Sequence, residues 1–155
     1  LAKRLAPLLL GGGQENGARS GTENLPGIAS LAAACAAFDR QQIRRQEEMK
    51  QHLRLRLSAL EGVTLLGAQD APHIVNLAVA GVRSQGLINV LQGMGFCVSA
   101  GSACSKGHRS HVLEAMGVAP ALIDGSIRVS LSAENTMQEM DDFADALPRA
   151  VAALR

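Results

Sequence analysis

The chain has 155 residues, which is the size of one domain, or of one domain with part of another. Ala and Leu dominate its apolar residues, aromatic residues make up 2%, and Trp and Tyr are absent. A core of small and branched side chains suits helices packed on a sheet, and the scarcity of aromatic rings argues against nucleic-acid binding by base stacking. The net charge of +1 excludes a general field that would steer the protein to DNA or to a membrane surface.

The three cysteines, Cys35, Cys97 and Cys104, do not form the paired spacing of a disulfide framework. No signal peptide is visible, and no apolar run is long enough to span a bilayer. We therefore expect a protein of the reducing cytoplasm that does not enter a membrane. The sequence starts at Leu1 just before an apolar run, Leu5–Leu10, so we expect that residues upstream are missing.

The first third of the chain predicts a strand, a loop and a long helix. The apolar run 5–10 indicates a strand that ends at three glycines, residues 11–13. Residues 14–24 are polar and indicate an ordered loop, and Pro26 suits the first turn of a helix. Apolar residues then follow helical spacing as far as Leu60, which predicts one long helix with a buried first half and a half-exposed second half.

The rest of the chain predicts an α+β domain: a small sheet with helices on one side, preceded by the long helix. Thr136 and Glu139 match a capping box at the start of the last helix, and Pro148 should kink or break that helix. Gly117 indicates the end of an earlier helix, the one predicted at 111–116. The pattern predicts strands at 63–66, 74–79, 96–99 and 126–131, and helices at 85–94, at 111–116 and from 136 onwards.

The loop around Cys104 is the first candidate for chemistry. Every neighbour of this cysteine is small, whereas a structural cysteine usually has bulky apolar neighbours. Lys106, His108 and Arg109 follow closely, and positive charge near a thiol lowers its pKa and increases the thiolate fraction. From composition alone, a reactive thiol and a small residue in a tight loop remain equally good interpretations.

Arg128 is the second candidate. It lies on a predicted strand between Ser126 and Ser130. A strand would hold its planar guanidinium in a fixed orientation, which suits a bidentate contact with a carboxylate. The alternative, an ordinary arginine on an edge strand, is favoured by composition alone.

A glycine-rich segment, residues 11–22, and a group of possible metal ligands complete the candidates. The segment fits neither the P-loop nor the dinucleotide-binding pattern, although Gly21 and Thr22 can offer an N–H and a hydroxyl to an anion. Cys104 has two histidines downstream, His108 and His111, but no fourth ligand lies at a usable spacing, and no metal site is predicted.

Six segments taken together resemble the cysteine desulfurase family, within the class V aminotransferase-like enzymes that use pyridoxal 5′-phosphate (PLP). They occur in the order of the family and extend over nearly the whole chain. No single segment is sufficient, but the set is highly specific. The segments are LLLGGGQE (8–15), RSGTENLPG (19–27), GVRS (81–84), VSAGSAC (98–104), RSHVL (109–113) and SIRVSL (126–131).

The resemblance implies a role for each matching residue. Cys104 would be the catalytic cysteine, which takes sulfur from L-cysteine as a persulfide and leaves alanine. Arg128 would bind the carboxylate of the substrate, and Asn76 matches a position near the active-site end of the small domain. Gly21 and Thr22 would contact the PLP phosphate, that of the other subunit in a homodimer. The sulfur would pass to acceptor proteins, such as an iron–sulfur scaffold, or to thiolation pathways.

The same resemblance divides the chain into three parts. Residues 1–26 would be a remnant of the large PLP domain, 27–61 the long helix that links the domains, and 62–155 the small C-terminal domain with the cysteine loop. The lysine that holds the cofactor covalently in the family matches no residue here, so the resemblance implies that the chain alone neither holds PLP nor completes the reaction. Two alternatives stay open: a PLP-independent sulfur-carrier or scaffold domain, and a class V aminotransferase relative without desulfurase activity.

Overall fold

The computed structural model describes residues 6–67, 70–100 and 109–155. The chain divides into two compact units, Leu1–Asp39 and Arg40–Arg155. No helix in the described part of the chain is long and apolar enough to cross a membrane. The described helices are α1 (Leu25–Ala37), α2 (Arg40–Ser58), α3 (Ser84–Gly93), α4 (His111–Ala115), α5 (Pro120–Asp124) and α6 (Met137–Ala152), and the strands are β1 (Val63–Leu66), β2 (Ile74–Val79) and β3 (Ser126–Ser130).

The first unit consists of a glycine-rich loop followed by α1. The loop is closed where the Ser20 N–H donates to the carbonyl oxygen of Leu9 at 3.2 Å. The strand predicted at 5–10 is wrong for residues 6–10, which form no strand, because a strand needs a partner for its backbone groups and the described residues supply none. Helix α1 begins after Asn24, whose side chain accepts the N–H of Gly27 at 3.1 Å.

The single long helix predicted for 27–61 is two helices in the structure. Phe38 leaves the helical region with ψ of 118°, and α2 starts afresh at Arg40. Asp39 has the short polar side chain favoured at the position before a helix, which explains the new start. The burial is also the reverse of the prediction: α1 has no buried residue, whereas α2 buries residues such as Met49 and Leu53.

The second unit is built on a three-stranded antiparallel sheet in the order β1-β2-β3. All three strands lie where the sequence predicts them, to within one residue, and the predicted α+β class is confirmed. One face of the sheet packs against α2 and α3, α6 packs on these two helices, and together they form the main core. The residues of this core that come from the sheet are Val75, Leu77 and Val79 of β2 with Ile127 and Val129 of β3.

The opposite face of the sheet carries a smaller apolar cluster. Leu66 and Ala78 of the sheet pack there with Leu113 of α4 and Ile123 of α5. Helix α4 ends at Ala115, and Gly117, the predicted stop, follows two residues later with φ of 72°. Helix α5 was not predicted, because its five residues are too few to show a helical period.

Helix α6 confirms one sequence prediction and contradicts another. The capping box forms: the Thr136 hydroxyl accepts the Glu139 N–H, and the Glu139 carboxylate accepts the Thr136 N–H. The predicted break at Pro148 is wrong, since the helix continues to Ala152. Pro148 itself is exposed, and the helix accommodates it with the loss of the one hydrogen bond that a residue at this position would donate to the carbonyl oxygen of Ala144.

Candidate functional site

Asn76 and Arg128 are directly opposite one another on neighbouring strands. They are partners in the antiparallel register of β2 and β3. Side chains alternate along a strand, so both side chains lie on the face with the smaller cluster and not on the face with the main core. Both residues are half-buried. The structure thus brings together the two residues that the sequence proposed for substrate binding.

The Nε of Arg128 is buried and has no hydrogen-bond partner among the described residues, a property it shares there only with Arg54 Nε. An unsatisfied buried donor is costly, more so on a charged group. A carboxylate is the ligand that matches the arginine fork in shape and charge. Arg128 is therefore suited to bind an anionic ligand.

Cys104 lies in residues 101–108, outside the described residues, together with Lys106 and His108. The chain on its N-terminal side is held to β3 at Ser99. The Ser99 N–H donates to Arg128 O at 3.1 Å, and the Arg128 N–H donates to Ser99 O at 2.6 Å. The predicted strand 96–99 is reduced to this single bridge, because residues 96–98 form no ladder of their own.

On the C-terminal side of this segment, Arg109 binds the last residue of α5. Its Nε and Nη2 donate to the two carboxylate oxygens of Asp124, each at 2.7 Å. The pair lowers the pKa of Asp124, with a smaller contribution from the charge of Arg83, and raises the pKa of Arg109. The sequence had offered Arg109 as a positive charge for the cysteine, but in the structure Asp124 compensates that charge.

Gly21 and Thr22 lie in the loop of the first unit. Gly21 has φ of 102°, which favours glycine, and its N–H donates to the side-chain oxygen of Gln14 at 3.1 Å. Arg19 donates to the Thr22 carbonyl oxygen at 2.8 Å. The loop is exposed and presents an N–H, a hydroxyl and a guanidinium within four residues. These donors fit a phosphate, which would replace Gln14 as the acceptor for Gly21.

Two residues of this site could not be found from the sequence. Asp124 carries no motif, and its partner Arg109 is fifteen residues away, so only the packing of α5 shows the pair. The role of Ser99 depends on the pairing with β3.

Within the described ranges no group of His, Cys, Asp and Glu could hold a metal ion, and Cys35 and Cys97 are exposed free thiols.

The profile of the aminotransferase class-V family matches residues 1–143, and the chain belongs to this family. Members of the family depend in general on PLP. Over 159 aligned residues, the chain is 36% identical to cysteine desulfurase 2 of Trichormus variabilis, with 98% of this chain and 40% of that protein covered. It is 34% identical to the NifS/IcsS protein homolog of Lactobacillus delbrueckii subsp. bulgaricus, with 91% and 39% covered.

Solved structures of NifS-like proteins have the same fold. One matches with a TM-score of 0.79 and 33% identity over 96% of this chain and 39% of its own. A NifS-like protein from Rickettsia africae matches with a TM-score of 0.81 and 27% identity, covering 97% and 41%. The chain spans about two fifths of the length of the curated relatives it matches, for example 40% of cysteine desulfurase 2.

Proposed function

We propose that this chain is the C-terminal part of a PLP-dependent cysteine desulfurase, in which Cys104 accepts sulfur and Arg128 binds the carboxylate of L-cysteine. The supporting observation is the position of Arg128. Its Nε is buried and has no partner in the part of the chain that the structure describes, and its strand neighbour is Asn76. Its backbone is bonded to Ser99, just before residues 101–108, which contain Cys104 and are called the cysteine segment below. In this proposal, the residue that binds the substrate carboxylate also holds, through its backbone, the chain that leads to Cys104.

The proposed reaction transfers one sulfur atom. The Cys104 thiolate attacks the sulfur of the bound cysteine, forming an S–S bond while the Cβ–S bond of the substrate breaks. The electron pair of the broken bond remains on the carbon, which takes up a proton and leaves as alanine. Cys104 is left as a persulfide, and no external oxidant or reductant is consumed. Arg128 fixes the substrate at its carboxylate, so that its sulfur stays within reach of the thiol.

PLP would supply the electron sink that makes the Cβ–S bond labile. We infer that Gly21, Thr22 and Arg19 would hold its phosphate, in the manner that their exposed donors allow. In this proposal the lysine that binds the cofactor comes from a part of the enzyme outside these 155 residues. The enzyme would act as a homodimer in the cytoplasm and pass the persulfide sulfur to a scaffold for iron–sulfur clusters or to a thiolation pathway.

The sulfur-accepting role is tested by replacing Cys104 in the full-length enzyme. We expect Cys104→Ala to abolish formation of a protein persulfide from L-cysteine, measured by mass spectrometry of the labelled peptide. Cys97→Ala is the matched control, because Cys97 is an exposed free thiol seven positions away. It should form persulfide at the unchanged rate. Persulfide on the Cys104→Ala protein, or its loss from the control, would contradict the assignment.

The role of Arg128 is tested by Arg128→Lys, which keeps the charge and removes the fork. A hydrogen bond between charged groups is worth about 1.5–3 kcal/mol, so we expect the KM for L-cysteine to increase roughly 10- to 100-fold. Arg54→Lys is the control, since the Nε of Arg54 is also buried without a partner among residues 6–67, 70–100 and 109–155, but Arg54 lies on α2. If both variants keep the original KM, Arg128 does not bind the substrate.

A further inference from the structure

We propose that Arg109 and Asp124 are a positioning pair, which fixes the C-terminal end of the cysteine segment beside the strand that binds the substrate. This inference rests on the proposed function, since it concerns the delivery of Cys104 to a substrate held by Arg128. Neither residue would touch substrate or cofactor.

The pair is a bidentate ion pair with a defined orientation. Two parallel N–H···O bonds of 2.7 Å join the guanidinium of Arg109 to the carboxylate of Asp124. Such a bidentate pair fixes orientation as well as distance. Arg109 is the first described residue after 101–108, so its anchoring sets where that segment rejoins the fold.

Asp124 is itself held rigidly. The next residue, Gly125, is buried, and its carbonyl oxygen accepts the N–H of Val79 in β2 at 3.0 Å. The hydroxyl of Ser126 is buried and donates to the carbonyl oxygen of Ile123 at 2.8 Å. These bonds tie the end of α5 to the start of β3. The backbone that carries Asp124 is thus held against the sheet from its next residue onwards.

The other end of the segment is fixed on the same short stretch of chain. Ser99 pairs with Arg128, four residues beyond Asp124. The two attachment points therefore bracket the start of β3, which carries the candidate anchor for the substrate. Because reaction rates depend steeply on the placement of the reacting groups, releasing one attachment would lower the effective concentration of the thiol at the substrate.

Because the Arg109–Asp124 pair is exposed, an effect on the position of the cysteine segment can be distinguished from an effect on the stability of the fold. Both side chains are 46% exposed, so water and salt screen the attraction between them and limit what the pair contributes to stability. Removing the pair should therefore change the melting temperature by no more than about 2 °C. A large effect on sulfur transfer with little effect on folding is what a positioning role predicts.

The test uses the full-length enzyme with Arg109→Ala, Asp124→Ala and the charge-exchanged double variant Arg109→Asp/Asp124→Arg. We expect each single variant to form the Cys104 persulfide at least about 10-fold more slowly in a single turnover, with the KM for L-cysteine within about 2-fold of the original. Hydrogen exchange in residues 100–109 should become faster. The double variant should recover a substantial part of the rate. Asp145→Ala is the control, because Asp145 forms an exposed ion pair with Arg56 on α2.

Three results would overturn the inference: single variants with unchanged rates, a double variant as slow as the single ones, or a rate loss matched by a general loss of folded protein. A fourth result, a higher pH midpoint of persulfide formation in Arg109→Ala, would also overturn it, because Arg109 would then act through its charge and not through position. Failure of the proposed function is recognised separately, because Cys104→Ala would then form persulfide as fast as the original enzyme.

Discussion

Gly125 joins α5 to β3, and we expect the substitution Gly125→Ala to destabilise the fold strongly. A Cβ at this position would lie 2.3 Å from the carbonyl oxygen of Val79 and 2.8 Å from that of Val82, whereas such carbons keep at least 3.0 Å. Both obstacles are backbone atoms and cannot turn away. The backbone of Gly125 has φ of −101°, which alanine tolerates, so the effect would come from the clash alone.

The magnitude follows from what must move. Overpacking a close contact costs about 1–3 kcal/mol, and displacing Gly125 also weakens the bond that it accepts from the Val79 N–H, worth about 1 kcal/mol. We expect a loss of about 2–4 kcal/mol in the free energy of unfolding and a fall of roughly 5–15 °C in melting temperature.

Gly93→Ala is the matched control for this measurement. Gly93 is the last residue of α3, and a Cβ there meets no atom within 4 Å. Alanine in a helix is favoured over glycine by about 0.5–1 kcal/mol, so this variant should melt at the same temperature or slightly higher. Thermal unfolding followed by circular dichroism measures both variants. If Gly125→Ala melts no lower than Gly93→Ala, the close approach of the backbone at Gly125 is wrong.

Two further predictions concern the helices of the main core. Thr136→Ala removes the side chain that accepts the Glu139 N–H and should cost about 1 kcal/mol, whereas Thr136→Ser should retain most of the stability; equal melting temperatures for the two variants would contradict the capping role. The hydrogen bond from His52, helped by the charge of Arg56, lowers the pKa of Asp141 below its ordinary value of 3.8. The ionised Asp141 carboxylate should therefore contribute its full stabilisation above pH 3.8 and lose it as the pH falls through the lowered pKa. The difference in melting temperature between the original chain and Asp141→Asn should shrink in acid. A difference that stays constant would contradict this prediction.

The sequence predicted the elements whose pattern is local and regular. Strand β3 is visible as an alternation of apolar and polar residues, because its two faces lie in different surroundings. The capping box at Thr136 was visible because it needs only two residues at fixed spacing. Where the prediction was wrong, distant structure decided the outcome. The apolar run before Gly11 forms no strand in its described part, and the helical spacing continues across Phe38, where the structure has a break between two helices.

The site was predictable as a set of residues but not as an arrangement. Sequence resemblance proposed Arg128 and Asn76 separately, and the register of two strands makes them neighbours. No spacing in the sequence indicates that Ser99 would pair with Arg128, since such a bridge depends on how α3 returns the chain to the sheet. Burial of the Arg128 Nε likewise depends on packing and leaves no trace in the order of residues.

Arg109 illustrates why a charge in the sequence differs from a charge at a site. Beside Lys106, His108 and Cys104 in the sequence, it adds to a local excess of positive charge that favours a thiolate. In the structure its guanidinium is occupied at 2.7 Å by both oxygens of Asp124, which cancels most of its field beyond the pair. The useful property of Arg109 is then its fixed position at the end of the cysteine segment. For this reason the pH dependence of persulfide formation and its rate should respond differently to Arg109→Ala: the rate should fall, and the midpoint should stay.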